Sequence, residues 1–514
     1  MAILNSIDSN STGLRYAIED SYKTLPGSPT WVGLEPNAYN DFGGNVTTLA
    51  RDPIAEGRQQ AKGVTTDLDA SGGFNVDFTQ SNLQEILQGY FYAAFRSKDE
   101  FGGSGEITNV DGTADEYDAA SGLDDFTVGD LIYVTGFDDA ANNGLKRVSS
   151  ASATALGVDE DIVDDASPAS AAKIVTVGVE GAVGDIDVDA SGSLPTLTST
   201  ALDFTTLDLN PGEWIFVGGD VAGDQFTTAA NNGWKRIRTI AANVLTLDKS
   251  DTTMVTEANT TSTVRLFFGR VLKNESDTTL ISRTTYNVER ALGAPDDASP
   301  NDIQGEYLTG AVPNELALNV PTAGKVTADL SFVAGDHETV SASTGLKSGT
   351  RPALTSEDAF NTSSDFSRIN MAVVSDTDED PSALFAYVTE MTININNNVS
   401  PNKAIGTLGA FEMATGIFGV SGNLTAYFSE ESAIAAVRNN SNVTLDFVIV
   451  KANAGIAIDF PLMALGDGRL NVAKDQPINL PLSMNMASGD QVHSGLDHTA
   501  MMVFFDYLPT AADV

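Results

Sequence analysis

GGFNVDFTQSNLQEILQGYFYAAF, Gly72 to Phe95, contains both periodicities on which this chain is built. Phe74, Val76 and Phe78 alternate with Asn75 and Asp77, which predicts a strand with one buried face. From Ser81 the period changes. Leu83, Ile86, Leu87, Tyr90 and Phe91 recur at helical spacing, so a helix is expected over Ser81–Phe95. Ser81 is placed to cap it, with Gln84 at the capping-box position. A similar passage lies near residue 425: SGNLTAYFS (Ser421–Ser429) runs into SEESAIAAVR (Ser429–Arg438), a second helix with acids first and Arg438 last. The two passages suggest a duplicated strand–helix unit.

Working outward, LALNV (Leu316–Val320), VTADLSF (Val326–Phe332) and MTINI (Met391–Ile395) show the same alternation. With Gly, Asn, Asp and Thr abundant between them, the chain reads as mainly β with many turns. Between the two strand–helix passages lies a closer repeat. VGDLIYVTGFDDAANNGLKRV (Val128–Val148) is echoed by PGEWIFVGGDVAGDQFTTAANNGWKRI (Pro211–Ile237). These predict two small inserted β-modules. The inward residues would be Ile132, Val134, Ile215 and Val217, and Asn143–Gly144 and Asn232–Gly233 would supply the positive-φ turn residues. The modules are expected to form an autonomous outer domain over about Gly105–Thr263.

The 514 residues allow two to four domains. No cysteine is present, which removes disulfides, thiolate metal sites and Cys nucleophiles together. The opening MAILNSIDSNSTG has neither a basic nor an apolar leader segment, and no apolar run approaches a membrane span. The net charge is −42, from 28 Lys+Arg against 70 Asp+Glu. A surface this acidic argues against nucleic-acid binding by phosphate neutralisation. About half of the charge is local: Asp99–Thr263 carries 29 acids and 7 basic residues.

Chemical motifs are sparse. No nucleophile elbow, Walker loop or zincin helix is present. His493 and His498, in HSGLDH, read as exposed loop histidines. Asp67–Gly72 has the oxygen spacing of a calcium loop but Phe78 at its twelfth position, and Asp376–Asp380 is followed by Pro381 where Gly is needed. Both read as turns. The pairs Lys146/Arg147 and Lys235/Arg236 are expected to bridge nearby acids, and Trp214 and Trp234 to pack inside their module. No catalytic residue, cofactor or metal is expected.

TGLRYAIEDSYKTLPGSPTWVGLE (Thr12–Glu35), ISRTTYNVERAL (Ile281–Leu292), EYLTGAVPNELALNVPTAGKVTADLSF (Glu306–Phe332) and GNLTAYFSEESAIAAVRNNSNVTLDFVI (Gly422–Ile449) together resemble the tail tube (major tail) proteins of long-tailed, non-contractile bacteriophages. The resemblance implies a non-enzymatic virion subunit, assembled in the host cytoplasm, whose homo-oligomeric rings stack into a conduit for DNA. Its partners would be tape measure, terminator and tip proteins, with transiting DNA not tightly held and no membrane. It implies two tandem tail-tube-type antiparallel β-sandwich domains, each with a flanking α-helix, besides the two inserted modules. The expected division is 1–105 for the first tube domain with its N-terminal arm, 106–190 and 191–263 for the modules, 264–292 for return strands, and 293–514 for the second tube domain. Three such chains would give a pseudo-six-fold ring; six single-domain chains are the alternative. Asn394, Asn396 and Asn398 are expected on the lumen wall. Arg15, Tyr22, Trp31 and Arg58, with the segment Leu34–Lys62, are expected between rings. An acidic adhesin-like surface protein with glycan-binding modules is the rival reading.

Overall fold

The computed structural model describes residues 7, 9, 12–52, 54, 56–57, 59, 61–248, 253–293, 303–340, 345–354, 356–374, 382–385, 387–428, 431–470, 472 and 474–513. The protein is mainly β, with large antiparallel sheets and two α-helices among the described residues. Its contacts form two compact units. The first holds Met1–Ala93, Asp277–Thr362 and Glu390–Leu424; the second holds Ala94–Ser276, Ser363–Thr389 and Thr425–Val514.

In the first unit the elements used below are β1 (Gly13–Ile18), β2 (Pro36–Leu49), β3 (Val64–Asp77), α1 (Gln84–Phe91), β4 (Tyr286–Gly293), β5 (Gln304–Val320), β6 (Thr327–Ala334), β7 (Asp336–Val340) and β8 (Val388–Asn396). β5 organises them. Its first half pairs with β4 and β7, and its second half with β6 and, through Met391–Asn396, with β8. The change of partners falls at Pro313, where the register with β6 slips before Glu315. Proline has no N–H for the ladder, so a bulge forms there. Alternate residues of β6 are buried along its whole length. They meet an aromatic core in which Phe332 lies 5.8 Å from both Phe74 and Tyr90. α1 is shorter than Ser81–Phe95. The Ser81 hydroxyl donates to Glu357 instead of capping, and Tyr92 closes the helix at φ +50°. Gly89 in its interior makes room for Tyr286: a Cβ there would stand 2.5 Å from the tyrosine oxygen. The boundary between the compact units does not fall at Gly293: β4 and its hydrogen-bonded neighbour β5 lie in the same unit.

The second unit holds α2 (Ser432–Asn439), β9 (Val443–Lys451), β10 (Ala454–Asp467), β11 (Asn479–Ala487) and β12 (Met501–Phe505). These repeat the first unit's order. After each helix comes a strand, then a long strand with a central proline. A third strand then pairs with the long strand's second half, and a fourth returns to its first half. Pro461 takes the place of Pro313, and the β9–β10 register slips beside it, between Val443 and Leu445. LSFVAGD (Leu330–Asp336) is matched by LSMNMASGD (Leu482–Asp490). The duplication therefore extends well beyond the strand–helix passages legible in the sequence.

The inserted modules have cores of their own, around Ile132, Val134 and Val148, and around Ile215, Val217 and Ile237. The repeated Asn pairs do the same work in both. Asn142 and Asn231 exchange hydrogen bonds with the backbone of Val163 and Val255, and Asn143 and Asn232 with that of Phe137 and Phe226. Only the glycines take positive φ, +97° at Gly144 and +91° at Gly233; the asparagines before them do not.

The insertion does not end at its own surface. Leu131, Val177, Trp214, Phe216 and Trp234 share one core with Val448, Val450, Met501, Val503 and Phe505. Beside it runs a buried ionic network. Arg236 donates to Asp459 at 2.8 Å and to Asp248; Arg368 pairs with Asp446; Trp214 Nε1 and His498 reach Asp459, each at 3.0 Å. Both guanidiniums lie against the Trp214 ring, Arg236 at 5.8 Å and Arg368 at 5.1 Å from its centre. His498, expected in an exposed loop, is fully buried here. Removing one partner of such a network leaves an uncompensated buried charge, at a cost of about 3–5 kcal/mol.

Two predictions follow from this packing. Deletion of Gly105–Thr263 should abolish cooperative unfolding, because it bares Met501, Val503 and Phe505 and strips Asp459 of Arg236; a soluble, cooperatively folding deletion protein would contradict this. The second concerns pH. Burial holds the His498 imidazole below its ordinary 6.5 despite Asp459, so the unfolded chain binds the proton first. The contribution of His498 is therefore present above about pH 6.5 and is lost as pH falls below it. Asp446, pushed up to about 6 by burial against the pull of Arg368, has the opposite sign: its contribution is greatest below the usual aspartate pKa and is lost as pH rises through about 6. Wild type minus His498→Gln isolates the first effect. That stability difference, from urea midpoints, should shrink between pH 7.5 and 5; a pH-independent difference would refute the assignment.

Candidate functional surface

β3, β6, β5 and β8 lie side by side in the first unit. Their alternation sends Phe74, Leu330, Leu316 and Ile393 inwards. The other face carries Asn75, Asp77, Asp329, Ser331, Glu315, Asn319, Thr392, Asn394 and Asn396. The four strands contain no Lys or Arg at all. An open hollow of about 540 Å³ lies on this face, lined by Ser71, Glu315, Asp329, Ser331, Asn394 and Asn396 among others.

Three amide donors of the face, those of Asn75, Asn319 and Asn396, are turned sideways into its own acids. Asn75 and Asn319 both donate to Asp329, at 2.8 and 2.7 Å. Asn396 donates to Glu315 at 2.8 Å, and Asn37 to Asp77 at 2.5 Å. Lys325, in the turn that precedes β6, is itself held by Asp77 at 2.6 Å. What this face presents outward is carboxylate and carbonyl oxygen, with its strongest donors engaged.

Asn394 and Asn396 thus stand on one polar face. Asn398 does not belong to it: at φ +50° it turns the chain, donating to the Ile417 carbonyl at 2.9 Å. Asn397 is buried between them and ties Tyr90 O to Pro313 O, a role with no sequence signal beyond its position in an Asn run. Trp31 is fully buried, its indole donating to Ser348 O at 3.0 Å with Tyr307 and Arg351 against the ring. Arg15 reaches Pro352 O, and Tyr22 reaches Ala410 O. Burial pushes the Tyr22 phenol up to about 12. These three bind the N-terminal arm to its own unit. Arg58 lies outside the described residues.

The other motifs resolve locally. Asp67 and Asp69 lie on strand β3, clamped by Lys403, and Asp376–Asp380 lies outside the described residues. Among the described residues no group of three His, Asp or Glu is arranged to hold a metal. Arg147 bridges Asp159 and Glu180, and Lys146 and Lys235 cap module backbone. Trp214 and Trp234 are both buried, so neither ring is offered at the surface as a sugar platform. No helix among the described residues is long and apolar enough to cross a membrane.

Comparison with known families agrees with this reading. The family described as phage tail tube protein matches residues 9–486, nearly the whole chain, and the chain belongs to that family. No curated protein gives a significant match.

Proposed function

We propose that this tail tube protein stacks as rings into the hollow conduit of a long, non-contractile tail, and that three chains close each ring. The observation that carries the stoichiometry is the doubled unit: one helix, one proline-broken long strand and the same three partner strands, twice per chain. Three chains supply six such units, and closing the ring pairs the sheet edges that each chain would otherwise expose. The tape measure protein would fill the tube before release, and terminator and tip proteins would close its ends. Assembly would take place in the host cytoplasm. End-on, symmetry-free class averages and native mass spectrometry of single rings should give three chains; six chains per ring would overturn the proposal.

The Lys/Arg-free face of β3, β6, β5 and β8 is the proposed lumen wall. Phosphates bind proteins through cationic side chains and free N–H donors. Here there are no cations, and the amides of Asn75, Asn319 and Asn396 are already donating to acids. DNA would slide past a surface that repels it and offers no trap. Wild-type tubes should not retain short duplex DNA in sedimentation at moderate salt. Asn394→Lys, which sets a ring of charges on the wall, should produce retention that falls as salt rises. Tight, salt-sensitive retention by wild type would sink the assignment.

A further inference from the structure

Away from the polar face, the first unit presents a second surface of opposite character. The loop between the short strands Ser400–Asn402 and Glu412–Ala414, with the residues that follow, reads AIGTLGAFEMATGIF from Ala404 to Phe418 and holds a single charge, Glu412. Ile405 is fully exposed and Ile417 is 84% exposed, and Leu408 and Phe411 are about half exposed. This is not a loose segment with nothing beneath it. Ala410 and Met413 are buried with Tyr92 and Val312, and Phe418 packs 5.7 Å from Phe91. The two short strands pair from Ser400–Ala414 to Asn402–Glu412, and Lys403 grips Asp67 and Asp69. A pinned loop that turns its isoleucines outward has its apolar surface presented, not left over.

The patch continues on the β2–β3 hairpin. Lys403 holds the same strand whose neighbours Val64 and, across the hairpin, Val46 and Leu49 are exposed. A Cβ on Gly409 would touch the Leu68 side chain. Asn45–Leu49 and Val64–Thr66, on the facing strand ends, carry no charge, while the chain that joins them holds Arg51, Asp52, Glu56, Arg58 and Lys62.

We infer that Ile405, Leu408, Phe411 and Ile417, together with Val46, Leu49 and Val64, form the surface on which a second copy of this chain docks during assembly. The occupant is argued from charge. Two chains that each carry −42 repel wherever their acidic surfaces meet. Self-association must therefore use surface that is uncharged and gains by leaving water, and this patch is both. The inference rests on the tube reading and names residues that make its contacts.

The test compares wild type, the Ile405→Asp/Ile417→Asp double variant, and Val183→Asp, which adds a charge at an exposed position of the second unit. Circular dichroism and Tm should be unchanged in all three, since neither isoleucine is buried. Sedimentable tubes should fall at least tenfold in the double variant alone. Double-variant tubes formed at the wild-type yield would overturn the inference. Should wild type not form tubes, the tube reading fails by itself. Sedimentation equilibrium then still decides the surface: a self-association Kd raised at least tenfold by the double substitution supports it, and equal values overturn it.

Discussion

The structure depends on two missing hydrogen-bond donors. Pro313 and Pro461 each sit in the middle of a long strand, and neither can supply the N–H that a continuous ladder needs. At each the register slips by a residue, and the strand changes partners. A strand that must change partners belongs to two sheets, and two sheets that share a strand are held face to face over a common core. Each helix then packs on the broken strand, α1 on β5 and α2 on β10. Replacing either proline by a residue with an N–H would remove the reason for the bulge without supplying another.

The same duplicated frame meets its surroundings differently in the two units. In the first, β4 is buried only from Tyr286 to Glu289 and half-buried beyond. In the second, β9 is buried on both sides, with eight consecutive residues from Val443 to Val450 out of solvent. The inserted modules account for this. Their Trp214, Phe216 and Trp234 share the apolar core that includes Val448 and Val450, and Arg236 enters the acidic pair Asp446 and Asp459. Burial opposes the charge on Arg236, and the facing aspartates more than restore it. Asp459 in β10 is held by Arg236 and Trp214 of the insertion, so in this chain the decoration is part of the fold.

Alternation was legible because it is local. Val326–Phe332 and Met391–Ile395 lie within the observed strands Thr327–Ala334 and Val388–Asn396 to within a residue or two, and the inward Ile132, Val134, Ile215 and Val217 are all buried. The helices were legible as kinds but not as lengths, since Ser81 found Glu357, 276 residues away, in place of a capping partner. The partners of Trp31, His498 and Trp214 were not legible for the same reason. These, Ser348, Asp459 and Asp459, lie 317, 39 and 245 residues distant, and no period within a window reports them. The polar face was half legible: its residues show in the strand pattern, but the engagement of its amides by Asp329 and Glu315 needs the register.

The distribution of charge ties these features together. On the proposed reading, an acidic chain that passes DNA and also assembles faces one electrostatic problem twice, because the repulsion that would keep DNA off a wall also keeps subunits apart. Salt shortens the reach of both, to about 8 Å at physiological strength. What it cannot do is distinguish them; only the placement of uncharged surface can. Acids lie on the face of β3, β6, β5 and β8, the proposed wall, and the amides of Asn75, Asn319 and Asn396 are turned sideways into them. Isoleucine, leucine and phenylalanine are exposed on a pinned loop of the same unit that holds a single charge, Glu412, and valine and leucine on the neighbouring hairpin. Uniform acidity would give a soluble monomer, and uniform apolarity would give an aggregate. Segregating the two within one unit is what would allow a chain of −42 to associate with copies of itself and, as proposed, leave passing DNA unheld.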